Sequence, residues 1–173
     1  MRRVLTVIAV LAVSALAEPP LVAKVAIMSL AELADDAEFI GIVRVDRISR
    51  GVPFLKRPRA TATVLESWKG QSLGKVTFVA APTWTCDISE AKKGEEAVVF
   101  IRGGILEHSG RGRMPIFARD GRKLAAIWPD VRLPPNTATE DGPEPEYQFI
   151  RAIDVVQLHD AVAAVSTVRS DSR

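Results

Sequence analysis

The chain has one cysteine, Cys86, in 173 residues, so no intramolecular disulfide can form. It has two histidines, His108 and His159, set far apart, which excludes a metal motif of closely spaced ligands. No metal site or cofactor is expected, and no residue is assigned a catalytic role. Nor is there an apolar run near the length of about 20 residues that a membrane-spanning helix needs. The most apolar stretch, Val4 to Val13, is half that.

That stretch has another reading. Arg2 and Arg3 precede it and Ala15-Leu16-Ala17 follows it, which together make the basic, apolar and small-residue regions of a secretory signal. Cleavage after Ala17 is expected, with the product exported to the periplasm or secreted, and no membrane span remaining. The 23 Lys+Arg and 21 Asp+Glu include Arg2 and Arg3, so the mature chain holds 21 of each. Such neutrality argues against nucleic acid as a partner. The densest basic runs, Lys56-Arg57-Pro58-Arg59 and Arg111-Gly112-Arg113, are short, broken by Pro or Gly, and read as solvated loops.

Residues 18–28 open with Pro19-Pro20 and read as an extended leader. Ser29 with Glu32 forms a capping-box pattern for a short helix over 29–37, with Leu30, Leu33 and Ala34 on one face. Strands are expected over 39–48, with a bulge or close backbone approach at Gly41, and over 60–68 and 75–80. A further strand over 95–101 contains Ala97-Val98-Val99-Phe100-Ile101, an apolar run suited to burial on both faces. Asp120-Gly121 marks a hairpin turn within 114–128. The proline-rich segment 129–145 reads as an exposed loop. A second helix starts at Asp154, with Val155, Leu158, Val162 and Val165 on one stripe, and a disordered tail is expected over 169–173.

Successive strands with short turns predict a mainly β fold, an antiparallel five- to six-stranded barrel flanked by a short N-terminal and a C-terminal helix, in one domain over 29–168. The ordered set Asp36-Ala37-Glu38-Phe39-Ile40-Gly41-Ile42-Val43, Ala62-Thr63-Val64-Leu65-Glu66-Ser67-Trp68-Lys69-Gly70, Cys86, and Lys93-Gly94-Glu95-Glu96-Ala97-Val98-Val99-Phe100 resembles the netrin-like domain shared with tissue inhibitors of metalloproteinases, in the form carried by bacterial exported proteins. The resemblance implies an OB-type barrel. Inhibitory members chelate a protease zinc through a cysteine at the mature N-terminus. Here that start is Glu18-Pro19-Pro20, so neither that chemistry nor the family's disulfides carry over.

Trp68 reads as a core or barrel-closing residue, and Asp35, Asp36 and Glu38 as a solvated helix end. Trp84 and Cys86, in the loop after the third strand, are the candidate binding face. The expected function is a non-catalytic binding or accessory module whose loops around 83–93 and 109–113 meet a protein, peptide or glycan of the cell envelope. The alternative is a small envelope thiol enzyme or hydrolase that uses Cys86 with His108.

Overall fold

The computed structural model describes residues 27–49, 57–71, 74–80, 90–106, 110–143 and 151–170. The signal-like segment, residues 18–26 of the leader and the end of the tail lie outside them.

Strand β1 (Met28–Ser29) leads into helix α1 (Leu30–Asp36). The cap is the one the sequence encodes: Glu32 N–H donates to Ser29 Oγ at 3.1 Å, and Ser29 N–H donates to Glu32 Oε2 at 2.6 Å. At the other end of α1, Lys69 Nζ donates to the carbonyls of Ala34 at 2.6 Å and Asp35 at 3.3 Å. A cation there satisfies carbonyls that the helix leaves unpaired.

The sheet is built around β2 (Phe39–Ser49), β3 (Arg59–Lys69), β4 (Lys75–Val79) and β5 (Glu96–Arg102). It continues through β6 (Ile105–Leu106), β7 (Arg113–Arg119) and β8 (Arg122–Ile127). The chain then forms β9 (Val131–Arg132), β10 (Glu140–Asp141), β11 (Arg151–Asp154) and helix α2 (Val155–Ser170). The main sheet runs β10-β11-β8-β7-β5-β2-β3-β4, with β6 paired to β5, and all its ladders are antiparallel.

Gly41 sits at the first of three register shifts between β2 and β3. A Cβ there would lie 2.3 Å from the Glu66 carbonyl oxygen, so only glycine lets the two backbones approach at this bulge. β4 lies alongside β6, and bulges of this kind add local twist and bend to a strand.

Alternation along β2 and β5 divides the core in two. Ile40, Ile42, Val98 and Phe100 face one cluster, which α1, α2, Trp128 and Met114 complete. Phe39, Val43, Val45, Ala97, Val99 and Ile101 face the other, inside the curl, with Phe78 and Leu106. The apolar run of β5 is buried on both faces because each of its faces has a core of its own.

Three expectations need correction. No ladder among the described residues closes the sheet into a barrel, because β5 pairs with β7 and the sheet continues to β10 instead of returning to β4. The proline-rich segment is not one exposed loop. It supplies β9, which pairs in parallel with β1, and the edge strand β10, while Val131 is 1% exposed. Met28, at the end of the segment read as an extended leader, lies in β1 and packs in the first cluster. Finally, α2 continues to Ser170, past the point where the tail was expected to start. The start of α2 agrees with the sequence: Val156 N–H donates to Asp154 Oδ1 at 2.9 Å, and Val155, Leu158 and Val162 are buried.

Candidate functional site

The candidate loop leaves the sheet at the end of β4 and returns ahead of β5. Ala80 N–H donates to the Pro58 carbonyl at 2.9 Å, and Ala91 N–H donates to the Ala80 carbonyl at 3.0 Å. Both alanines are 4% exposed and belong to the core inside the curl. Segment 81–90 therefore departs and returns between two hydrogen-bonded residues fixed in the core. The turn that follows is equally tied: Gly94 N–H donates to Val45 O at 2.8 Å, and Val45 N–H donates to Glu95 O at 2.9 Å. Gly94 has φ +84°, a conformation that favours glycine. Glu90, Lys92 and Lys93 beside the stems are exposed. Trp84, Cys86 and His108 lie outside the described residues, so the structure fixes the stems of the loop and not those side chains.

The second candidate loop, 109–113, differs from its expectation. Arg111 and Arg113 are not solvated. Arg113 pairs with Glu95, the two side chains 2% and 13% exposed, and Arg111 pairs with Asp130, at 15% and 16%. Arg111 also lies over the Trp128 ring, 5.8 Å from its centroid. Trp128 Nε1 donates to the Arg113 carbonyl at 3.2 Å. Nη2 of Arg151 lies within hydrogen-bond reach of the carbonyls of Trp128, Pro129 and Val131, at 3.3, 3.2 and 2.9 Å. Buried guanidinium groups need such partners, and each acid supplies one across the fold. These arginines hold the β7 entry and the β8–β9 turn together. Arg59, from the other basic run, is the first residue of β3.

Trp68 is half-buried against the helix-side core. Its Nε1 donates to Glu66 Oε1 at 2.9 Å, and its ring meets His159 of α2 edge to face at 5.1 Å. Trp68, expected as a core or barrel-closing residue, thus packs on the rim of this core and closes no barrel. His159 also lies 3.4 Å from Asp160. The acids at the α1 end are tied to the β5–β6 turn, since Asp36 meets Arg102 at 3.8 Å and Glu38 Oε2 accepts from Gly103 N–H at 3.1 Å. On the outer face of the curl, Asp46 is held below the usual carboxylate range, first by the Thr63 hydroxyl, which donates at 2.7 Å, and also by Lys75 at 3.5 Å.

Among the described residues, no three His, Cys, Asp or Glu side chains gather into a metal site, and no helix is long and apolar enough to cross a membrane. Fold and site together define a mainly β protein with two flanking helices and a curled antiparallel sheet. No protein-family model, curated protein or solved structure matches the chain.

Proposed function

We propose that this chain is an exported, non-catalytic binding or accessory module whose 81–90 loop, carrying Trp84 and Cys86, meets a protein, peptide or glycan of the cell envelope. The observation that supports this reading is the pinning of Ala80 and Ala91. A loop whose stems share a hydrogen bond and sit in the core presents its side chains from a rigid base, which lowers the ordering cost of binding. A tryptophan turned toward a partner in such a loop would supply contact area with few rotatable bonds. The likeness to the netrin-like family rests on the sequence motifs, because among the described residues the antiparallel sheet does not close into an OB-type barrel. Export rests on the Arg2 to Ala17 pattern.

The test is retention of envelope components on the immobilised chain from Glu18 onward, compared with Trp84→Ala and Cys86→Ser. A component held by the wild type and by Cys86→Ser but lost with Trp84→Ala supports the module. A component lost only with Cys86→Ser replaces it with thiol chemistry, the role in which Cys86 would act with His108.

A further inference from the structure

β4 is the terminal strand of the main sheet on the β3 side. The ladder to β3 fixes which of its groups that ladder leaves unused. Val64 N–H donates to Gly74 O at 2.9 Å, and Ala80 N–H donates to Pro58 O at 2.9 Å. With Thr61 opposite Thr77 and bonded pairs recurring every second residue, Val76 and Phe78 bond inward to β3. The N–H and C=O groups of Lys75, Thr77 and Val79 therefore point away from the sheet.

This edge is masked at its midpoint. The β5–β6 turn swings against it: a Cβ on Gly104 would lie 3.3 Å from the Thr77 carbonyl oxygen and 2.8 Å from Arg59 Nη2, and Gly104 has φ +72°. The Arg59 guanidinium reaches over β4 and donates from Nη2 to Gly104 O at 3.3 Å and to Thr77 O at 3.5 Å. One side chain thus joins β4 to the β5–β6 turn, between which no ladder runs among the described residues. Exposed edges of β-rich strands are hazards that proteins cover with charge or with a neighbouring turn, and Lys-Val-Thr-Phe-Val is rich in strand-forming residues.

We propose that Arg59 is a latch on this seam, and that releasing it opens β4 to antiparallel pairing with β4 of a second copy of the chain. A two-fold axis at Thr77 places Thr77 opposite its counterpart and Lys75 opposite Val79, so free donors meet free acceptors and the two lysines stay apart. The other edge of the main sheet, β10, is the poorer partner. It is two residues long, and Arg119 Nη1 holds the Asp141 carbonyl at 2.7 Å.

The experiment is sedimentation equilibrium over a range of concentrations on the wild type, Arg59→Met, Thr77→Pro and the double variant. Arg59→Met keeps the aliphatic stem and loses the donors. Thr77→Pro removes an N–H that the native ladder does not use, as an edge strand tolerates. The latch predicts equal masses for wild type and Thr77→Pro, a mass for Arg59→Met that rises toward two-fold with concentration, and return to the wild-type mass in the double variant. An Arg59→Met mass equal to the wild type's, or a double variant as associated as Arg59→Met, overturns the proposal. Circular dichroism on all four, with Arg59→Lys as a milder release of the same contact, separates pairing of folded copies from association of unfolded chain.

Discussion

Arg113 on β7 and Glu95, at the turn before β5, form an ion pair in which the arginine side chain is 2% exposed and the carboxylate 13%. Either replacement removes a charge-assisted contact from a largely dry site. Arg113→Met and Glu95→Gln are each expected to destabilise the fold by about 3–5 kcal/mol, and the double replacement by less than the sum. Urea unfolding of the three variants measures this coupling.

Gly41→Ala tests the close approach of β2 and β3. A methyl group 2.3 Å from a backbone oxygen cannot be relieved by a rotamer change, so the strands must separate. The expected loss is about 1–3 kcal/mol, the usual range for overpacking, read from the urea midpoint.

Much of this was legible in the sequence, and the reasons differ by residue. Ser29 and Glu32 bond each other three residues apart, so their pattern is local and readable. The same holds for the hairpin, where Asp120 and Gly121 take φ of 50° and 75°, as their residue types allow. The two-residue strands β1 and β9 left no periodicity to read, because their pairing depends on residues about a hundred positions apart. Arg111 and Arg113 looked solvated because Asp130 and Glu95 lie 19 and 18 residues away in the chain. The barrel expectation failed at the ends of the sheet, since no ladder among the described residues joins β4 to β10. Of the candidate site, the loop's position between two strands was readable, while the bond between Ala80 and Ala91 was not.

Ser29→Ala removes the acceptor for Glu32 N–H at the start of α1. A cost of about 0.5–2 kcal/mol is expected from the loss of an N-cap. Thermal unfolding followed by circular dichroism detects it as a lower Tm.

Asp46 gives a pH dependence of defined sign. Its carboxylate is held below the usual range, chiefly by the Thr63 hydroxyl. The charged form is therefore favoured by folding. This stabilisation is present above the pKa of an unfolded aspartate, about 3.9, and is lost as pH falls through the lower folded value. Thr63→Val should flatten the acid limb of the stability curve below about pH 4 and leave its shape near neutrality unchanged. Unfolding free energies across that interval, wild type against variant, read the difference.

The pinned loop is the centre of the account, and binding after substitution within it is the most direct measurement. The chain from Glu18 onward, the Trp84→Ala variant and a variant with Trp68→Leu, which alters a tryptophan packed on the helix-side core, are compared for retention of envelope proteins, peptides and glycans on one surface. Wild type and Trp68→Leu are expected to retain the same component, and Trp84→Ala to lose it at least ten-fold, about 1.4 kcal/mol or more. Equal retention by wild type and Trp84→Ala would contradict this expectation.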